Sequence, residues 1–368
     1  MENNLTCEVT NDWLFLKTFL PSDWEDMCVS TKAMIRKRNF DSAESLLRVL
    51  LIHIGEGLSL RETVLHAEAA EIASVSDVAL LKRLKKSGEW LRMMAEGVMR
   101  AHTPMRSTYP DKTKYNLRIV DGTTIQEPGS KNATWRIHYS INLKNLFCDE
   151  FKLTDNKKGE TFSNFTVNKN DIIIGDRGYA QRAGIAHVFK SGGHVLQRVN
   201  LQNVPFIDSD GNKVILINKL RTLKPLEVGE WPVFVEYEGL KIPGRICAIK
   251  KTRQAAEKSR EKVKKENGRK GAKVKPETIE AAGYIFIFTT LRELSTSEIL
   301  EIYRSRWQVE LVFKRLKSIL GIGCLKKKDP DAAKAWLYGK LLIAFLIESL
   351  LAAGELFSPW GYRLSSTR

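Results

Sequence analysis

Four side chains between residues 303 and 317 could together bind a metal ion and a nucleic acid. They are Tyr303, Arg306, Glu310 and Lys317. If residues 297–320 form one helix with about 100° per residue, the four lie on one strip roughly 60° wide and about 21 Å long. A carboxylate can bind a divalent cation while its cationic neighbours bind phosphates. A plain i,i+4 pair of Arg306 and Glu310 is the simpler interpretation, and the spacing leaves it open.

Two aspartates follow apolar runs that are typical of buried strands. Asp121 comes after the run Ile119–Val120, and Asp176 comes after Ile172–Gly175. A carboxylate at the carboxyl end of a central strand points into the crevice where α/β sheets bind their ligands. Aspartate before glycine or at a helix start is also common in turns and caps, so the position alone does not decide between the two roles.

The middle of the chain has the pattern of an α/β protein. Short runs rich in β-branched and aromatic residues predict strands. A 3.6-residue period then predicts a helix over 179–192, and residues 194–199 predict another strand. The alternation indicates layers of helices on a mixed sheet. The four predicted strands before that helix are residues 116–122, 134–144, 146–155 and 171–178.

Residues 200–283 interrupt this sheet pattern before a final strand at 284–290. The interruption contains three further strand-like runs, at 213–220, 231–239 and 245–250. A polar, helix-like run follows, in which residues 250–275 contain twelve Lys or Arg and three acidic residues. Such a run is a candidate surface for a polyanion, although it could equally be a solvated face.

The first hundred residues predict a helical N-terminal domain. Their apolar residues recur at helical spacing with almost no proline, and residues 58–87 indicate two helices with Ser76 or Asp77 as the cap of the second. The second helix ends in Lys82, Arg83, Lys85 and Lys86, which fits a helix-turn-helix in a DNA groove or a basic face on a packing helix. Two prolines and little periodicity mark residues 102–115 as a linker.

Composition limits the class of partner. The 368 residues carry a formal net charge of +16 and have a pI near 9.5, which favours a nucleic acid or an anionic surface. The five cysteines are widely spread and never form a C-x-x-C pair, which argues against a disulfide framework or a zinc site. No signal peptide is indicated, and the apolar run 341–353 is short and contains Glu348, so we expect a cytoplasmic protein without a membrane span.

The pattern Y-x2-R-x3-E-x6-K, filled by Tyr303, Arg306, Glu310 and Lys317, resembles the YREK signature of bacterial insertion-sequence DDE transposases, specifically the insertion-sequence-four family. The segments "IVDGTTI" and "IIIGDRGY" are similar to that family's first and second catalytic-aspartate segments, in the same order. The resemblance covers residues 116–320 and, more loosely, the helical N-terminus.

The resemblance implies an α/β fold with an RNase H-like mixed-sheet catalytic core, interrupted by a mainly β insertion and preceded by a helical N-terminal DNA-binding domain. The resulting division is 1–101 N-terminal domain, 102–115 linker, 116–199 first part of the core, 200–283 basic insertion, 284–325 final strand and catalytic helix, and 326–368 helical C-terminal region.

The resemblance also implies site roles. Asp121, Asp176 and Glu310 would bind two Mg²⁺ ions, with Mn²⁺ able to substitute, for in-line phosphoryl transfer on DNA. Tyr303, Arg306 and Lys317 would contact phosphates of the transposon end. Trp231, the only tryptophan of the insertion, would stack on a flipped base if the protein forms DNA hairpins as some members do. The alternative for Trp231 is a packing residue.

The implied activity is cut-and-paste transposition in the bacterial cytoplasm, close to the nucleoid. The partners would be double-stranded DNA, both terminal inverted repeats and target, and a second copy of the chain in the DNA complex. Two alternatives remain: a metal-dependent nuclease without strand transfer, and a catalytically silent DNA-binding relative. A glycosidase that uses the aspartates as an acid/base pair is poorly supported, because its chemistry does not call for such a basic chain.

Overall fold

The computed structural model describes residues 12–37, 39–101, 114–269, 271, 273–323 and 325–356, with the side chains of 355 and 356 left out. Most of the predicted linker, residues 102–113, lies outside the described residues. The chain divides into two compact units. The first comprises Met1–Met105, Thr124–Arg136 and Val312–Arg368, and the second comprises Arg106–Thr123 and Ile137–Leu311.

The first unit is largely helical, as the sequence predicts for the N-terminal residues. Ser42, Ser59 and Ser76 each accept a backbone N–H at the start of a helix, which confirms Ser76 as a cap. The helices are α1 Trp24–Ser30, α2 Ala43–Gly55, α3 Leu60–Ala69, α4 Asp77–Lys86, α5 Gly88–Ala101 and the long C-terminal α12 Pro330–Leu356.

Helix α12 is the central packing element of this unit, because it contacts α2, α4 and α5. By length and composition it is the one helix among the described residues that could cross a membrane. Half of its most apolar 18-residue window is buried within the protein, and a core helix of a water-soluble domain passes the same test. The helix is much longer than the apolar run 341–353 that marks it in the sequence.

The second unit is built on one eight-stranded mixed sheet of order β3-β2-β1-β4-β5-β8-β7-β6. Strands β1, β4 and β5 are parallel, and β8, β7 and β6 continue antiparallel from β5. The strands are β1 Asn116–Ile125, β2 Trp135–Asn142, β3 Cys148–Asp155, β4 Asp171–Gly175, β5 His194–Arg198, β6 Val228–Tyr237, β7 Leu240–Lys250 and β8 Tyr284–Thr289. This mixed sheet with its parallel centre is the RNase H-like core that the sequence predicts.

The insertion adds a long hairpin, β6–β7, to the edge of the same sheet. Its described residues also form the helices α7 Leu216–Arg221, α8 Arg253–Arg269 and α9 Pro276–Ala281. The prediction of a strand over 213–220 is wrong, because α7 occupies most of it. Its apolar residues Leu216, Ile217 and Leu220 face the core at helical spacing, and the short run cannot distinguish the two periods. The basic run forms a helix, as predicted.

Alternation along the strands separates the two faces of the sheet. On one face Val120, Ile173 and Val195 join a hydrophobic cluster that includes α6 Arg182–Lys190. On the other face lies α10 Thr296–Arg304, whose first turn is bound to β6 because Glu230 accepts a hydrogen bond from Thr296 at 2.7 Å. At the amino edge of the parallel strands a buried Arg118 pairs with Asp149, Glu150 and Asp171 and fixes β1 against β3 and β4.

Candidate active site

The two aspartates lie at the same level of adjacent parallel strands. In the β1–β4 register Ile119 is opposite Ile174, and each aspartate comes two residues further on. Asp121 is still inside β1, which runs on to Ile125, whereas Asp176 follows the last residue of β4. Asp121 therefore does not end its strand as the sequence suggests, but both carboxylates lie at the carboxyl edge of the parallel strands.

Local hydrogen bonds hold both carboxylates in place. Asp121 Oδ1 accepts the N–H of Gly122 at 2.8 Å, and Asp176 Oδ1 accepts the N–H of Gly178 at 2.7 Å. Asp176 thereby caps the 3₁₀ turn Arg177–Tyr179, so the cap interpretation of this residue is also realised. A cap role and a role in the site are compatible, because each bond uses only one carboxylate oxygen.

The helix expected over residues 297–320 is broken. Helix α10 ends at Arg304, Ser305 and Arg306 form a turn, and α11 Trp307–Ser318 begins after it. The prediction of one continuous helix with a single strip is therefore wrong. At the turn the N–H groups of Ser305 and Arg306 donate to the carbonyls of Ile302 and Tyr303, three residues earlier, so the i→i−4 bonding of the helix is interrupted.

Arg306 lies at this break and links two of the candidate ligands. Its guanidinium is 3.9 Å from Asp121 Oδ2 and donates a short hydrogen bond to Glu310 Oε1. The side chains of Asp121 and Arg306 are each 18% exposed, whereas that of Glu310 is 58% exposed. The i,i+4 pair that the sequence leaves open is thus present, and the same arginine also reaches the first aspartate.

Asp121 is in an environment that disfavours its charge. Burial, together with the negative charges of Asp176 and Glu160, raises the pKa of Asp121 to about 7, although the Gly122 N–H and Arg306 act in the opposite direction. A carboxylate that is crowded by others at the edge of the parallel strands is suited to bind a cation, because a cation offsets the repulsion.

Glu160 is a site carboxylate that sequence reasoning missed. A Cβ added at Gly122 would lie 3.1 Å from Glu160 Oε1, and one added at Gly178 would lie 2.3 Å from Glu160 Oε2. Its carboxyl group therefore sits between the residues that follow Asp121 and Asp176. A side chain at position 122 or 178 would therefore press on this carboxyl group and shift it, and no local sequence pattern marks Glu160 as part of the site.

Tyr303 and Lys317 have different positions. Tyr303 is buried, and its hydroxyl has no hydrogen-bond partner within the described part of the chain. Lys317 lies in the last turn of α11, with an exposed side chain, in the other compact unit. The structure thus brings Asp121, Asp176, Arg306 and Glu310 into one charged cluster with Tyr303 near it.

Trp231 lies on the other face of the sheet from α10. Along β6 the side chain of Glu230 reaches Thr296, and successive residues of a strand point to opposite faces. The half-buried Trp231 ring accordingly packs against the hydrophobic cluster that contains Val233 and Val235. This is the packing arrangement that the sequence leaves as the alternative to DNA stacking.

The remaining predicted features are local. His138, His187 and His194 hydrogen-bond to Thr154, to the Phe165 carbonyl and to Thr290, so each is engaged within the fold. In α4, Arg83 donates to the carbonyls of Ala33 and Arg36 and Lys85 pairs with Asp329, so two of its four cations are engaged within the first unit. The helix-turn-helix role of α4 stays a prediction.

The chain matches the family described as the transposase DDE domain over residues 112–346. It is 33% identical over 348 residues to the transposase for insertion sequence element IS421 of Escherichia coli, covering 92% of this chain and 93% of the relative. It is 23% identical over 373 residues to the transposase for insertion sequence element IS231E of Bacillus thuringiensis subsp. finitimus, covering 90% of this chain and 77% of the relative.

The fold and the matched domain are those of DDE enzymes, a class that acts on DNA and in general uses divalent metal ions. The chain belongs to the insertion-sequence DDE transposases, and it is a transposase.

Proposed function

We propose that this transposase cuts the ends of its element in a Mg²⁺-dependent reaction and joins them to target DNA, which is cut-and-paste transposition. The observation that carries the proposal is the placement of Asp121 and Asp176 at one level of adjacent parallel strands, with Arg306 joining Asp121 to Glu310. Three carboxylates and a phosphate-binding cation are the groups that phosphoryl transfer on DNA requires.

The donor chemistry fits magnesium. Asp121, Asp176 and Glu310 offer only carboxylate oxygens, which hard divalent cations prefer. Within the described residues, however, no group of three or more His, Cys, Asp and Glu side chains is placed to hold a metal ion. Glu310 bonds instead to Arg306, so Glu310 has to release the arginine before it can join the aspartates.

The roles of the chain's own residues follow. Asp121, Asp176 and Glu310 would hold two Mg²⁺ ions, which when bound activate the attacking oxygen and stabilise the leaving oxygen of an in-line displacement. Arg306, once it leaves Glu310, would bind a phosphate of the transposon end, as would the exposed Lys317. Tyr303 would also contact a phosphate, which requires that its buried hydroxyl first become accessible. No covalent bond between protein and DNA is required.

The proposal extends to the partners and the cellular location. The protein would act as a homodimer on terminal inverted repeats and target DNA, in the cytoplasm and close to the nucleoid. Trp231 would stack on a flipped base if the second strand is cut through a hairpin. These points rest on the family resemblance and on the basic charge.

The test is a reaction of the purified protein with a supercoiled plasmid that carries the element's own ends, in Mg²⁺ and in EDTA. We expect Mg²⁺-dependent excision and joined products. Cleavage without joining would identify a nuclease, and binding without cleavage would identify a catalytically silent relative. A matched plasmid without the ends controls for nonspecific cutting.

A further inference from the structure

A cavity of about 230 Å³ opens beside the candidate active site, on the insertion side of the sheet. Arg177, directly after Asp176, and Arg198, the last residue of β5, line it together. Both arginines lie at the carboxyl edge of the parallel strands, the same edge as the two aspartates. The wall opposite is formed by residues of α8, α9 and β8.

Arg177 and Arg198 have no counter-ion among the described residues. Within the part of the chain that the structure describes, neither guanidinium makes a side-chain hydrogen bond or an ion pair. Glu266, the one acidic residue among the described residues that line the cavity, lies 3.9 Å from Lys262 on its own helix. Asp176 acts on Arg198 through its charge, but its Oδ1 is already bonded to the Gly178 N–H. A partly buried cation such as Arg198 is costly without a partner unless a ligand supplies the negative charge.

Lys251 and Tyr303 do not line the cavity, but both lie close enough to Arg177 and Arg198 to be affected by their charges. Burial and the charges of Arg198 and Arg177 lower the pKa of Lys251 to about 8, while its Nζ donates to Ser259 Oγ and to the Ala282 carbonyl. The Tyr303 hydroxyl is buried without a hydrogen-bond partner among the described residues, and Arg198 and Arg177 also act on it through their charges. The positive charge at this edge of the sheet would therefore stabilise a negatively charged oxygen in the cavity.

We propose that Arg177 and Arg198 bind a backbone phosphate of DNA in this cavity, next to the Asp121–Asp176 pair. A phosphate accepts the forked N–H donors of guanidinium groups and removes the repulsion between the two arginines. The proposal deepens the proposed function and rests on it for the identity of the ligand as DNA. It adds Arg177 and Arg198 to the positioning residues, separately from Tyr303, Arg306 and Lys317.

The first test uses inorganic phosphate as the probe and needs no catalysis. The melting temperature of the full chain is measured at constant ionic strength with increasing phosphate in place of chloride. We expect phosphate to raise the melting temperature of the wild type and to raise that of Arg198→Gln by less than half as much. Without phosphate, Arg198→Gln should melt at or above the wild-type temperature, because one repelling charge is gone. If Arg198 were purely structural, Arg198→Gln would instead melt below the wild-type temperature.

Arg292→Gln is the matched control, since Arg292 is exposed and follows β8 at the opposite edge of the sheet. It should respond to phosphate like the wild type. Arg177 is exposed, so Arg177→Gln is the second variant if Arg198→Gln does not fold. An unchanged phosphate response in both Arg198→Gln and Arg177→Gln, or an equally weakened response in Arg292→Gln, would overturn the proposal.

The second test uses duplex DNA and the salt dependence of its binding. Each phosphate contact adds about −0.9 to the slope of log K against log salt, so Arg198→Gln should flatten the slope by about that amount. Arg292→Gln should leave it unchanged. If the plasmid assay shows no cleavage yet phosphate and DNA responses depend on Arg198, the catalytic proposal fails while the phosphate site stands. If the plasmid is cleaved and neither response depends on Arg198, the phosphate site fails while the catalytic proposal stands.

Discussion

At the level of single residues, the site places carboxylates that repel one another beside an arginine that attracts them. Asp121, Asp176 and Glu160 crowd one edge of the sheet, and the positive charge of Arg306 offsets part of their repulsion. The same arginine holds Glu310. Under the proposed function a divalent ion would compete with the arginine for the same carboxylates, which would release Arg306 towards a DNA phosphate.

The assignment of the carboxylates predicts separable losses. Asp176→Ala or Glu310→Ala should abolish Mg²⁺-dependent cleavage, because each removes a proposed ligand, while DNA affinity changes little. The measurement is cleavage of end-bearing plasmid alongside a gel-shift titration. Glu301→Ala, on the exposed side of α10, is the control and should cleave normally. Wild-type cleavage by Asp176→Ala would refute the assignment.

Substitutions at Trp231 distinguish a role in core packing from a role in stacking on a DNA base. Because its ring packs on the hydrophobic cluster, Trp231→Ala should lower stability by about 2–4 kcal/mol. Trp231→Leu keeps most of the apolar packing and removes the aromatic face, so it should melt near the wild-type temperature. If the ring stacks on a flipped base, the Leu variant nicks the first strand but does not form hairpins. Hairpins at the normal rate in Trp231→Leu would exclude stacking.

At the level of the elements, helix α12 carries a carboxyl group, that of Glu348, in surroundings that disfavour its charged form. The Glu348 side chain is partly buried, and its Oε2 atom is enclosed with no hydrogen-bond partner among the described residues. Burial raises the pKa of Glu348 to about 7, and the charge of Arg315 offsets this only in part. The helix therefore favours the protonated form of this residue.

This raised pKa predicts a pH-dependent stability. The folded state holds a proton that the unfolded chain releases near pH 4.5, so stability should fall as pH rises from about 5 to 8. The decrease attributable to Glu348 is up to about 3 kcal/mol. Glu348→Gln should remove this part of the decline in urea melts at pH 5 and pH 8. The exposed Glu261→Gln is the control, and an unchanged decline in Glu348→Gln would contradict the prediction.

At the scale of the whole molecule, one helix of the basic run presents a row of exposed cations. Six cations of α8 are exposed, namely Arg253, Lys258, Lys262, Lys264, Lys265 and Arg269. Lys250 and Lys251 of the same basic run are instead tied to β7 and to the Ala282 carbonyl. The run thus divides into cations that serve the fold and cations available to a polyanion.

Neutralising the exposed cations tests whether α8 contacts DNA. Replacing all six by Gln should flatten the slope of log K against log salt, by about 0.9 for each phosphate that the variant no longer binds. Deleting residues 250–275 is a weaker test, because it removes the end of a sheet strand. The control replaces the exposed Lys213 and Lys219 by Gln. An unchanged slope in the six-fold variant would mean that α8 is a solvated face.

Local sequence patterns were enough to predict the strands that carry Asp121 and Asp176, the helical N-terminus and the basic helix, and they singled out Asp121, Asp176 and Glu310 as candidates. These features are local, since strand alternation, helical spacing, caps and short motifs are written in neighbouring residues. The family resemblance supplied their roles, because spacing alone left the Arg306–Glu310 pair and the cap role of Asp176 open.

Local patterns do not show which distant groups come into contact, and the folded chain supplies that information. In the folded chain the helix is interrupted at Ser305–Arg306, and α7 occupies most of residues 213–220. Trp231 lies on the face of the sheet opposite α10. The fold also brings Glu160 to the two aspartates and Arg198 to Arg177. These outcomes depend on sheet order and on burial between residues far apart in the chain, and periodicity within a short window carries no information about either.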